Sequence, residues 1–341
     1  MNKFTKKNQF LGIDISNETI DVSIVCQSNT KQFEDNKFAN NLNGFIKMQQ
    51  WLLKNKVSFS ECLFCMEHTG TYGLLLLSWL NEKGIDFCVE SGLQIKRSLG
   101  IARGKNDKID ARRIAIYALE HKHKLKPYVF PAKNLLQIKQ LLTYREQLVK
   151  IRSSLKISLK SHEKYQQINQ LKYISKDIEK QISQYDDKIN FMEKKLKDII
   201  NDDDQLKKNF NFASSVKGIG LIITSFMLVT TNNFTSFENG RKYACYAGVA
   251  PFEHTSGTSI KGKTKVSHMA YKKLKILLSN GANSACKFDP EIKAYYKRKI
   301  DEGKDHKSVI NAISCKLINR VFAVVSRQSN YVSLYQQKIL Q

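Results

Sequence analysis

Residues 106 to 111 read Asn106-Asp107-Lys108-Ile109-Asp110-Ala111 and lead into an apolar-periodic run from Arg112 to Leu119. The spacing predicts a helix capped by Asn106 with an apolar stripe of Ile109, Ile114, Ala115 and Ala118. Asp107 and Asp110 then stand three apart on one face of its first turn. Acids there complement the helix dipole, and two of them together make the start of a cation site. Context favours the cation site: two more acids, Asp14 and Glu67, sit within or at the end of upstream strands, in a chain of net charge +25. A strongly basic protein that gathers carboxylates in one place has a metal ion to hold.

Working back from that helix, Phe10 to Val25 reads as a β-hairpin, with β-branched residues alternating in both arms and a turn at Asn17-Glu18-Thr19. Asp14 lies inside the first arm, in Leu11-Gly12-Ile13-Asp14-Ile15-Ser16, where a carboxylate must be paired, hydrogen-bonded or metal-bound. Asp21, in the second arm, is expected to face solvent. Phe33 to Phe38 suggests a third strand, and Leu42 to Asn55 a helix carrying Phe45, Met48, Leu52 and Leu53. Cys62 to Glu67 is an apolar strand that stops at an acid, followed by the loop His68 to Gly73 and a helix from Leu74 to Lys83. Glu67 is thereby placed at the C-terminal edge of a strand, where open α/β sheets bind their ligands. Asp86 to Glu90 is a short strand, and Ser91 to Gly104 a basic connection. Cys62 and Cys65 form a CxxC without a second pair and read as ordinary strand residues.

Working forward, Pro127 and Pro131 bracket a boundary, because helices seldom run through X-Pro. Beyond it Leu141, Tyr144, Leu148, Ile151 and Leu155 recur at spacings of 3 and 4, and Ile182, Tyr185, Ile189, Met192, Leu196 and Ile199 repeat the pattern. Two long helices joined near 160 to 170 suggest an antiparallel coiled-coil arm, serving as an oligomerisation element or a spacer. Val216-Lys217-Gly218-Ile219-Gly220 then reads as a glycine turn before an apolar helix. Gly218 and Gly220 either expose backbone N–H groups to a phosphate or let two helices pack closely. A polar loop follows, His254-Thr255-Ser256-Gly257-Thr258-Ser259, next to Lys261, Lys263 and Lys265. Helix-like runs from Tyr271 to Ala285 and Val309 to Ser326 end the series. The expected architecture is α/β plus all-α: a mixed-sheet domain over residues 1–130, a helical arm over 131–212, and a mainly helical domain over 213–341.

Composition sets the partner class. At 42% hydrophobic and 10% aromatic, the 341-residue chain is globular and long enough for more than one core. Its opening residues lack a signal-peptide pattern and no uninterrupted apolar run approaches a bilayer span, so a soluble, cytoplasmic protein is expected, with no membrane partner. Seven scattered cysteines, an odd number, point to reduced thiols. The net charge is +6 over residues 1–130, +6 over 131–212 and +13 over 213–341. Nucleic acid is the polyanion such an excess suits best, since no bulky amphipathic face accompanies it.

The constellation Asp14, Glu67, Asp107 and Asp110 resembles the RuvC-like, ribonuclease-H-type catalytic half of the DEDD insertion-sequence transposases, a family that includes Piv-type DNA invertases. The glycine turn, the segment Tyr246-Ala247-Gly248-Val249-Ala250-Pro251 and the Ser-Gly loop resemble that family's C-terminal transposase domain. The resemblance spans about residues 10 to 290. It implies a Mg²⁺ (or Mn²⁺) site built by the four acids and a serine that becomes joined to DNA, best matched by Ser256, with Ser259 next. It further implies donor and target DNA as partners, a structured guide RNA, assembly as a dimer or tetramer, and a bacterial or archaeal, nucleoid-associated setting. Lys217 and Leu221 stand where prolines often flank the family's glycine turn, and Ser267-His268 replaces its usual basic-glycine surroundings. Rival readings are a junction nuclease that uses water, a non-catalytic DNA-binding protein, and a sugar-kinase-like ATPase, for which the second glycine-rich phosphate loop is missing.

Overall fold

Alternation along the first strands sorts their side chains onto two faces, and each face meets a different partner. The computed structural model describes residues 3–98, 106–169, 172–256, 260–266 and 270–332. It divides into two compact units, Met1–Phe130 and Pro131–Gln341.

The first unit is a five-stranded mixed sheet of β1 (Gln9–Ile15), β2 (Thr19–Cys26), β3 (Asn29–Ala39), β4 (Cys62–Glu67) and β5 (Phe87–Glu90), in the order β3-β2-β1-β4-β5. The first three strands are antiparallel neighbours, whereas β4 runs parallel to β1 and β5 parallel to β4. That order, with those directions, is the ribonuclease-H-type sheet. Leu11, Ile13, Ile20, Val22, Phe64 and Met66 form one apolar face, buried with Phe45, Met48 and Leu52 of α1 (Leu42–Lys54) and Leu76 and Leu80 of α2 (Leu74–Glu82). Phe10, Val25, Leu63, Cys65 and Cys88 face the other way, onto Ile114, Ala115 and Ala118. A short helix α3 (Gly92–Ser98) occupies part of the expected connection, anchored by buried Ile95. One buried side chain over two turns is too little for periodicity to register. The acidic helix α4 (Asp107–His121) follows, with Asn106 as its cap.

Gly12 explains how close α4 comes. A Cβ built there would stand 2.0 Å from Ala111 O and 2.3 Å from Ala115 N, both backbone atoms. Only a glycine lets the helix lie directly on β1.

In the second unit, α5 (Lys133–Asn169) and α6 (Lys172–Asn201) run antiparallel, as the ion pairs Arg145–Glu193 and Arg152–Asp186 require. Leu148, Ile189 and Leu196 are buried as their spacing suggests, yet Tyr144 and Ile151 are exposed. A two-helix seam covers only a narrow stripe, so flanking positions of an apolar repeat remain in solvent. The base of the pair packs Leu135, Ile138, Leu142 and Ile200 against α7 (Asp204–Ser214) and α8 (Leu221–Thr230). A helical core then joins α7 and α8 to α9 (Gly240–Tyr246), α10 (Lys272–Phe288), α11 (Pro290–Asp301) and α12 (His306–Arg327). Among the described residues α12 alone is long and apolar enough to cross a membrane, and half of its apolar window is buried within the protein.

Residues 251–256 and 260–266 depart from the expected loop. Pro251–Ser256 forms β6 and Ile260–Val266 forms β7, paired antiparallel. Along β7 the lysines alternate with Ile260, Gly262, Thr264 and Val266, a period of two that the glycine and the polar run before it obscure in the sequence.

Candidate active site

The period of two places a row of charged residues on the α4 side of the sheet. Asp14 sits near the end of β1, directly opposite Asp21 on β2, which in turn pairs with Lys37 on β3. Glu67 is the last residue of β4 and pairs with Glu90 of β5. Asp107 and Asp110 form the first turn of α4, whose start is fixed by Asn106: its side-chain oxygen accepts from the Lys108 N–H at 3.1 Å.

Asp14 records the convergence. Its carboxyl is pushed up to about 6, first by burial and then by the charges of Asp107, Asp110, Glu67 and Asp21. Four negative neighbours around a half-buried carboxylate make its ionised form unfavourable unless a cation joins them. Asp21, expected in solvent, belongs to this set: its side chain is only 14% exposed and pairs with Lys37 at 3.1 Å. Register decides this, since residues opposed in an antiparallel pair project to the same face.

As they stand, the acids lean toward other partners. Asp107 lies 3.9 Å from Lys37 Nζ, Asp110 accepts from Arg113 at 2.8 Å, and the Glu67 carboxylate lies where a Cβ on Gly92 would be. Among the described residues no three His, Cys, Asp or Glu side chains are already grouped to hold an ion. Cys62 and Cys65 are buried, and burial raises the Cys62 thiol above its ordinary range, as suits a strand interior.

Sequence reading missed the residues that hold α4 in place. Arg112 grips Asp35 of β3 from Nε, at 2.9 and 3.1 Å, as well as from Nη2, and its guanidinium lies 5.0 Å over the Phe33 ring. Lys108 adds a second cation at 3.2 Å. Burial works against the Asp35 carboxylate, but these bonds outweigh it and lower its pKa. The alternation of Phe33, Asp35 and Lys37 on one strand was the available signal.

The other candidate residues lie in the second unit. Ser256 ends β6 opposite Ile260, and Lys261, Lys263 and Lys265 take alternate positions along β7. Ser259 falls outside the described residues. Gly218 has φ +92, and a Cβ there would come within 2.4 Å of Gly281 O on α10, so at this position the glycine serves close packing. Gly220 caps α8 in an extended conformation with open space above it.

Comparison with known proteins agrees across both units. A family model for transposases, of the IS110 type with the DEDD motif, matches residues 11–164, and one described as the transposase IS116/IS110/IS902 family matches residues 211–297. The pilin gene-inverting protein of Moraxella bovis is 27% identical over 333 residues, 93% of this chain and 95% of that protein. An uncharacterized 43.6 kDa protein of insertion element IS110 from Streptomyces coelicolor is 31% identical over 120 residues, 35% of this chain and 29% of that protein. Among solved structures, T. thermophilus RuvC in complex with a Holliday junction substrate aligns with 36% of this chain and 99% of its own, at 13% identity and a TM-score of 0.28.

Proposed function

Because the chain belongs to the IS110-type family of DEDD transposases, we propose that it cuts and rejoins DNA with a divalent-cation site formed by Asp14, Glu67, Asp107 and Asp110 and with Ser256 as nucleophile. The observation that carries the acid half is the raised Asp14 carboxyl, on which the charges of the three other acids act. All four offer hard oxygen donors, the kind Mg²⁺ or Mn²⁺ prefers. A bound ion would stabilise negative charge on the phosphoryl oxygens and let a carboxylate cluster accept DNA.

The chain's own residues have distinct tasks in this reading. Gly12 and the Asp35–Arg112 pair hold α4 against β1 and β3, and so keep the helix that carries Asp107 and Asp110 against the strand that carries Asp14. Lys37 holds Asp21 and approaches Asp107, which restrains both carboxylates. Ser256 Oγ attacks the phosphorus, losing its proton; a P–O bond to the serine forms as one within the strand breaks, and the departing alcohol gains a proton. One phosphodiester replaces another, so rejoining needs no external energy source. The Moraxella relative is named for inverting a gene, an outcome that requires rejoining. A structured RNA as guide and assembly as a dimer or tetramer complete the proposal, supported by family membership and, for the RNA, by the +25 charge.

The test is a denaturing gel of labelled cognate DNA with Mg²⁺, run on wild type, Ser256→Ala, Ser259→Ala and Asp107→Asn. We expect a covalent protein–DNA band from wild type and Ser259→Ala and none from the other two. Loss of the band only in Ser259→Ala moves the nucleophile three residues along. Cleavage by wild type without a covalent band, leaving free 5′-phosphates, replaces the serine mechanism with a water-using junction nuclease.

A further inference from the structure

The second unit contains a cavity of about 570 Å³ that the acid and serine chemistry does not use. It lies among α7, the connection between α8 and α9, and α12, and its size is in the range that takes small ligands, roughly 300–1,000 Å³. Its lining is unusual for so basic a chain. Among the described residues that line it there is no lysine or arginine, and its one charged member, Glu238, is met by Lys242 at 2.6 Å. Side-chain amides and phenyl rings make up much of the rest.

Those amides are arranged, not scattered. Buried Asn209 donates from Nδ2 to Asn233 Oδ1 at 2.9 Å, while Asn319 and Gln328 reach the wall from the exposed side of α12 and its end. Phe234 and Phe322 meet edge to face at 5.4 Å. The backbone that presents Asn233 and Phe234 is strained: Asn232, Asn233 and Phe234 have φ of 47, 56 and 64 in succession, and Gln328 has 55. A phenylalanine in the left-handed region is disfavoured and persists only when its surroundings hold it there. Fully buried Thr231 does so, its Oγ1 accepting from the Phe234 N–H at 2.8 Å, while the Asn233 N–H donates to Leu228 O at 2.7 Å.

A neutral cavity with aromatic walls and groups that both donate and accept suits a planar, uncharged ring with hydrogen-bonding edges. Phosphate is disfavoured by the lack of cations. Asparagine and glutamine match the donor and acceptor pattern of a base edge, and phenyl rings stack on its faces. Bases paired within a duplex are out of reach of such a cavity, whereas an unpaired or extruded one can enter. Building on the reading of this chain as a nucleic-acid enzyme, we propose that the cavity between α7, the 232–239 segment and α12 holds one unpaired nucleobase of the bound strand. The base supplies a position-defining contact separate from the basic surface.

The experiment uses the full chain and single-stranded DNA and RNA oligonucleotides of one sequence, each carrying 2-aminopurine at every fourth position and a terminal dye. Dye anisotropy reads strand binding, and 2-aminopurine emission reads stacking. Ala323 lines the cavity from an exposed position, so Ala323→Trp fills it from outside the core; Asn319→Ala removes an exposed amide and serves if the first variant misfolds. Wild type should quench the emission of at least one strand type, and the type quenched identifies the source as RNA or DNA. Ala323→Trp should abolish the quench and weaken that strand about tenfold, within what one stacked base is worth; Asn319→Ala should weaken it less. Wild-type binding without quenching, or variants that quench and bind as wild type does, would overturn the cavity's role and leave the transposase reading intact. Absence of any strand binding by wild type would overturn both.

Discussion

Asp14 is the residue whose surroundings can be tested most directly. Its carboxyl is held at about 6 instead of 3.8 by burial and by four neighbouring carboxylates. A proton bound more tightly by the folded than by the unfolded chain stabilises the fold at low pH, and that contribution is lost as pH rises from about 4 through about 6. At pH 7.5, without divalent ions, the ionised Asp14 therefore weakens the first unit. Asp14→Asn should raise the melting midpoint at pH 7.5 in EDTA, with the gain vanishing near pH 4. Adding Mg²⁺ should raise the wild-type midpoint at pH 7.5 and change that of Asp14→Asn much less. Differential scanning fluorimetry at the two pH values reads all of these, and a lower midpoint for the variant at pH 7.5 in EDTA would remove the crowded-carboxylate account. The acids could be singled out in the sequence as candidates because strand ends and a capped first turn are local features. Asp21 was misjudged because its direction depends on being opposite Asp14.

At the scale of elements, the site depends on how α4 lies on β1 and β3. Gly12→Ala would push a methyl group into the backbone of Ala111 and Ala115, neither of which can move without shifting the helix. Overpacking of this kind costs about 1–3 kcal/mol, and a lower urea midpoint should show it. The Asp35 pair acts at the other side of the helix. Asp35→Asn leaves Arg112 and Lys108 without their carboxylate, so backbone amides over residues 106–114 should exchange with deuterium faster while those of β1 and β4 do not. Equal protection of that segment in the variant and wild type would show that Arg112 does not position the helix. Periodicity predicted α4 and its cap but was silent on Gly12, whose role appears only when the two elements meet. The β6–β7 ribbon escaped notice although Ile260–Val266 alternates lysines with less polar residues, because its pairing with Pro251–Ser256 is visible only once the two segments meet.

At the scale of the whole molecule, charge is the dominant feature, and the excess of +13 over residues 213–341 exceeds that of either preceding part. If 6 to 10 phosphates are contacted, affinity for nucleic acid should fall on the order of 10³- to 10⁵-fold between 50 and 200 mM salt, as filter binding or anisotropy would measure. A flat salt profile would rule out a phosphate-dominated interface. Sequence by itself determined the five strands of the first unit, the two long helices and the basic character, and singled out four acids as candidates, because alternation, helical spacing, capping and net charge are properties of neighbours along the chain. Tertiary structure alone decided that Asp21 and Lys37 join the acids, that Gly12 admits α4, and that amides from 209, 233, 319 and 328 line one cavity. Those facts depend on register and on contacts between residues far apart in the chain, and local spacing carries no record of which distant segment a side chain will face.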